Sequence, residues 1–85
     1  MAETLIGVVT HYFDKIRVAA IRLTDGDLAV GDTIHIQGHT TNLTEQVESM
    51  QIEHLKVSAA KQGQSVGIVV QSKVHEHDKV FKVTP

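Results

Sequence analysis

Gly26-Asp27-Leu28-Ala29-Val30-Gly31-Asp32-Thr33-Ile34-His35-Ile36-Gln37-Gly38 decides the class of fold. Thr24-Asp25-Gly26-Asp27, which leads into it, is an Asp-Gly hairpin signal. Leu28-Ala29-Val30 is a short apolar run, and Gly31-Asp32 is a second turn. From Thr33 the chain alternates, with Ile34 and Ile36 on the inward face and His35 and Gln37 on the outward one. Turn, short strand, turn, alternating strand is the rhythm of a small all-β domain.

The flanking sequence keeps that rhythm, and no helical period of any length appears. Leu5 to Phe13 reads as a strand, with Gly7 at a bulge or a close approach of backbones. Asp14-Lys15 is a tight turn into a second strand, Ile16 to Leu23. There Ile16 and Val18 share a face until the apolar phase switches to Ile21 and Leu23, which predicts a bulge after Ala19-Ala20. His39 to Thr44 is polar, a loop or an exposed hairpin end. Glu45 to Leu55 holds a strand whose Met50 and Ile52 face the core. Ser58 to Gly63 allows one helical turn at most, stopped by Gly63. Val66-Gly67-Ile68-Val69-Val70 reads as a central strand buried on both faces. Val74 and Lys79-Val80-Phe81-Lys82-Val83 supply the last strands, joined by His75-Glu76-His77-Asp78. The expectation is one domain, residues 1–85 with a core from about 5 to 83, folded as a closed barrel of six or seven strands.

Composition narrows the functions. Eight Lys and Arg against ten Asp and Glu, for a formal charge of −2 in 85 residues, speak against binding nucleic acid by phosphate neutralisation alone. The absence of cysteine excludes disulfides and thiolate metal sites. No apolar run approaches the roughly 18 residues of a membrane span. The acidic start Met1-Ala2-Glu3-Thr4 does not look like a signal peptide. A cytoplasmic location, with no membrane association, is the expectation.

The run from Gly26 to Ile36 resembles the "G-x-hydrophobic-x-hydrophobic-G-D-x-hydrophobic" core of domain 2 of translational GTPases of the elongation factor Tu type. Val18 to Arg22, Val47 to Ile52 and Ala60 to Ile68 are similar to that family's preceding strand, its middle strand and its "A-G-x-x-V-G" segment, in order. The resemblance implies a Greek-key barrel of the translation-protein kind. It implies a binding role towards transfer RNA or a ribosome- or translation-associated protein. No phosphate loop is present, so no GTP binding is implied. By the same resemblance the ligand-contacting positions are Arg22, Gln51, His54 and Ser65. Only Arg22 matches the family residue. Ala20 and Ile21 replace a Thr-Gly pair, Gln51 replaces an acid, His54 a base and Ser65 an Asn. Similar barrels also occur as accessory domains on unrelated enzymes, including some collagenase-like peptidases, which leaves docking to an enzyme open. A protein-binding or self-associating barrel with no nucleic-acid role is another alternative, and a weak histidine metal binder a third.

Chemistry-bearing side chains are few. Lys15 and Arg17, with Lys73, Lys79 and Lys82, would form a basic patch if the last strand lay beside the second. His75 and His77 stand two apart, as weak candidate metal ligands. No nucleophile elbow or paired carboxylates occur, so neither enzymatic activity nor a cofactor is expected.

Overall fold

The computed structural model describes residues 2–85, and the described chain is all β-structure. The strands are β1 (Ala2–Phe13), β2 (Val18–Leu23), β3 (Leu28–Ala29), β4 (Thr33–Gln37) and β5 (Asn42–Gln46), followed by β6 (Met50–Ile52), β7 (Leu55–Val57), β8 (Ala59–Ala60), β9 (Ser65–Val69) and β10 (Lys79–Thr84). Eight of them form one antiparallel sheet in the order β5-β4-β10-β1-β2-β9-β6-β7, and β3 pairs with β8 in a separate ribbon.

The all-β expectation holds, but the sheet is not closed into a barrel. Its ladder ends at β5 and β7, which do not pair with each other. Past β5 the pairing with the β4 segment runs on by one residue, whereas past β7 the chain turns to a different partner. Past β5, the Val47 amide donates to the Asp32 carbonyl (2.8 Å), and the Gly31 amide donates to the Val47 carbonyl (2.8 Å). Past β7, the Ser58 carbonyl accepts from the Val30 amide at 2.9 Å. The strand count is ten because the run from Glu45 to Leu55 divides among β5, β6 and β7, and β3 and β8 form a ribbon of their own.

The twelve-residue β1 runs through the middle of the sheet, paired with β10 on one side and β2 on the other. It carries an irregularity on each ladder. The register jumps from Leu5↔Phe81 to Gly7↔Val80, and from Val9↔Ile21 to His11↔Ala20. Gly7 is a close-approach point, since a Cβ there would collide with the Arg22 carbonyl oxygen. The bulge expected in β2 lies opposite, at Thr10 of β1, whose hydroxyl donates to the Ala20 carbonyl at 3.1 Å. Strand β2 alternates without interruption, because the Asp14–Arg17 turn removes Ile16 from it.

Other sequence expectations shift in similar ways. Asp25-Gly26 does not close a hairpin: the Thr24 and Asp25 amides both donate to the Ile6 carbonyl, and β3 leaves to pair with β8. Ser58 to Gly63 forms no helical turn, but β8 and a reversal at Gly63 (φ +95°). Central β9 buries one face only, leaving Val69 half exposed. The core is a single cluster that includes Val9, Ile21, Leu23, Ile34, Ile36, Met50, Ile68 and Val80.

Two predictions follow from local geometry. Gly31 has φ +99° with open space where a Cβ would stand, so any cost of a side chain is backbone strain. Gly31→Val is expected to lower stability by about 1–3 kcal/mol, read as a lower denaturation midpoint at constant m-value. His35 on β4 places Nδ1 2.8 Å from Glu3 Oε1 and Nε2 2.6 Å from Asn42 Oδ1. The Glu3 hydrogen bond, helped by that to Asn42, raises its pKa above the ordinary 6.5, against a smaller opposing effect of burial. A raised folded-state value means its stabilisation is complete below about pH 6.5 and is lost as pH rises through the shifted value. Glu45 is also raised, chiefly by burial, but its window opens near the ordinary value of 4.5. Melting temperature should therefore fall from pH 6 to pH 8, and His35→Gln should flatten that slope.

Candidate functional site

A groove of about 300 Å³ lies on the outer face of the sheet where β2, β9 and β6 run side by side. Its floor is low because the cross-strand pair there is Ala20↔Gly67, and Gly67 also pairs with Gln51 of β6. A Cβ on Gly67 would sit 3.1 Å from Val18 Cγ1, so the absent side chain is what keeps the strip open.

Each wall is the tip of a hairpin. Phe13, Ile16 and Val18 come from the β1–β2 turn, where Arg17 has φ +55°. Phe13 and Ile16 are 46% and 64% exposed, two of the few large apolar side chains left to solvent. Facing them is the β6–β7 hairpin, whose register Ile52↔Leu55 leaves a loop of only Glu53 and His54. These have φ +50° and +67°. Positive φ at both loop residues is the type I′ pattern, which favours Asn-Gly. Glu-His holds it at a strain cost, and strain of this kind gathers at functional sites.

The structure brings three of the four expected ligand-contacting residues, Gln51, His54 and Ser65, together along this groove. Arg22, although the cross-strand partner of Ser65, instead borders a shallow depression with Thr24 and Gln62. Phe13, Ile16 and Val18 were missed as site residues. The usable signal was Ile16 between two charged residues, Lys15 and Arg17, immediately after Asp14.

The basic residues are not brought to one place. β1 lies between β10 and β2, so the condition for a shared patch is unmet. Lys82 pairs with Asp32 at 3.6 Å and lies across from Thr4, near the end of β1 remote from Lys15 and Arg17. Lys79 lies opposite Val8, and Lys73 is in the loop before His75.

His75 and His77 sit on a turn rather than on an extended strand, with His77 at φ +73°. The buried Asp78 carboxylate caps that turn, accepting from the His75 amide at 2.8 Å. Among the described residues, no three His, Cys, Asp or Glu groups are placed to hold a metal ion. The Thr41 hydroxyl and His75 Nδ1 are 3.0 Å apart, and Asp78 Oδ2 is 4.0 Å from that same nitrogen. A relay needs the carboxylate on the other ring nitrogen. This cluster, with Thr41 and Asp78 buried, therefore serves the turn.

No known family profile matches the chain. Among solved structures, the chain is similar to the C-terminal domain of a protein described as a U32 peptidase from Geobacillus thermoleovorans, at TM-score 0.87 and 20% identity over 95% of this chain and 93% of that one. The fold is that of a U32 peptidase C-terminal domain. A selenomethionine variant of the same domain superposes at TM-score 0.83 with 20% identity, over 89% of this chain and 95% of that one. In sequence, an uncharacterized protease of Methanocaldococcus jannaschii is 46% identical over 77 residues, which is 89% of this chain and 19% of that protein. A collagenase of Porphyromonas gingivalis is 35% identical over 81 residues, 94% of this chain and 22% of that protein. The chain thus spans about a fifth of the length of these curated relatives.

These findings overturn the expected kinship with elongation factor domain 2 and the translation role drawn from it. The Gly-Asp turns and alternating strands that carried the resemblance report how a small β-domain turns its corners. No described helix is long and apolar enough to cross a membrane.

Replacing Glu53-His54 by Asn-Gly should raise stability by about 1–2 kcal/mol, because both positions then suit their positive φ. Urea denaturation reads the gain, and an unchanged midpoint would place the strain elsewhere.

Proposed function

We propose that this chain is a non-catalytic, polypeptide-binding module that serves a peptidase body of the kind found in its relatives, on the same polypeptide or as a separate partner. The observation that carries this reading is the asymmetry of coverage. About nine-tenths of this chain matches proteins named protease and collagenase, yet the match occupies only about a fifth of each. In those proteins the same module accompanies a remainder several times its size. The side chains favour an accessory role over a catalytic one. The groove holds one imidazole and one carboxylate, and the hydroxyl–imidazole contact at Thr41 and His75 lacks a carboxylate on the far nitrogen.

The test is kinetic. The purified chain alone should leave labelled casein and gelatin intact. Added to saturation, it should lower the KM of a U32-type peptidase for those substrates and leave kcat unchanged, as expected for added substrate binding without added transition-state stabilisation. Hydrolysis by the chain itself, or no change in either constant, would overturn the reading.

A further inference from the structure

The two walls of the groove differ in chemistry, and the difference selects an occupant. The wall of Phe13, Ile16 and Val18 is wholly apolar. Val69, cross-strand partner of Val18 and 50% exposed, continues it across β9. An exposed apolar patch of this sort marks a binding surface. The facing β6–β7 hairpin offers Gln51, Glu53 and His54, and the floor strand β9 adds Ser65, all able to exchange hydrogen bonds with a peptide backbone. Between them the Ala20–Gly67 floor lets a ligand backbone lie close to the sheet.

Charge completes the argument. Glu53 is the single carboxylate lining the groove, and His54 the single other ionisable group. Lys15 and Arg17 flank Ile16 on the neighbouring turn without lining the groove. The lining therefore presents one carboxylate beside an apolar slot. A phosphate backbone would meet that carboxylate unfavourably, whereas a cationic side chain would be drawn to it.

We propose that the groove binds an extended polypeptide segment in which a bulky apolar residue neighbours a lysine or arginine. The apolar side chain packs on Phe13, Ile16 and Val18, the segment's backbone runs over Gly67, and the cation faces Glu53. This deepens the reading of the chain as a polypeptide-binding module and rests on it.

The test is an NMR titration of the labelled 85-residue protein with blocked peptides of sequence Gly-Phe-Lys-Gly, Gly-Phe-Glu-Gly and Gly-Ser-Lys-Gly. The Phe-Lys peptide should move the amides of Ala20, Gly67 and Glu53. It should bind about fivefold tighter than Phe-Glu and about tenfold tighter than Ser-Lys. Glu53→Lys, a substitution on an exposed turn, should reverse the preference between Phe-Lys and Phe-Glu. Ala20→Leu, which fills the floor, should abolish binding of both. Equal binding of Phe-Lys and Phe-Glu, no shift with any peptide, or shifts at these amides with transfer RNA alone would each overturn the proposal. If the peptides are inert while the chain still lowers a peptidase KM, the groove assignment fails and the module reading stands. If the peptides bind as expected and the KM does not move, the reverse holds.

Discussion

The rest of the fold depends on how β1 bends. A twelve-residue strand hydrogen-bonded on both sides would lie in a gently twisted sheet, but β1 carries an extra residue on each ladder. Bulges bend a strand and increase its twist. The bend is possible because Gly7 presents no side chain to the Arg22 carbonyl. It also brings β1 to the turn before β10: the Val9 amide donates to the Asp78 carbonyl, and the His77 amide donates to the Val9 carbonyl, both at 2.8 Å. Asp78 in turn holds that turn with its carboxylate, and Gly38 leaves space for it, since a Cβ there would overlap the carboxylate. One deformation of one strand thus fixes the path of β10, the β4–β5 turn and the buried polar pair Thr41 and Asp78.

The groove is a consequence of the same sheet seen from outside. Interior positions of β2 and β9 are filled by Ala19, Ile21, Val66 and Ile68, so their outer neighbours are free of packing duties. At those outer positions the chain has Ala20 and Gly67, too small to cover the sheet, flanked by apolar groups too exposed to belong to the core. A domain optimised only for stability would place larger or more polar residues there and Asn-Gly at the β6–β7 tip. Small floor, exposed apolar wall and strained Glu-His tip depart from that optimum in one place.

What the sequence disclosed follows from range. Alternation such as Ile34, Ile36 against His35, Gln37 reports which face is buried, and β4 behaves accordingly. Gly7 and Gly31 were legible because close approach and positive φ leave few alternatives to glycine. Ile16 was misplaced because an apolar residue two before Val18 fits strand periodicity as well as it fits a turn. The open ladder was illegible, because whether β5 and β7 pair is decided between residues distant in sequence and carries no side-chain signature. Gln51, His54 and Ser65 came together although the resemblance that singled them out proved to be to the wrong family. They meet because β2, β9 and β6 are neighbours in the sheet, which sets the outer positions of these strands in one strip.

That last point separates what likeness of fold carries from what it does not. At 20% identity the Geobacillus domain still superposes at TM-score 0.87. A core of Val, Ile and Leu accepts exchange among similar volumes so long as the inward alternation is kept, and turn glycines are held by backbone geometry alone. Both survive sequence drift, and both are shared by small β-domains with different roles. Outer-face residues are under no such packing constraint, so their identities reflect what touches them. Ala20, Gln51, His54 and Ser65 all fall on one such strip, where packing leaves side chains free to change. That strip sets an apolar wall against a carboxylate, the arrangement on which the proposed polypeptide ligand rests.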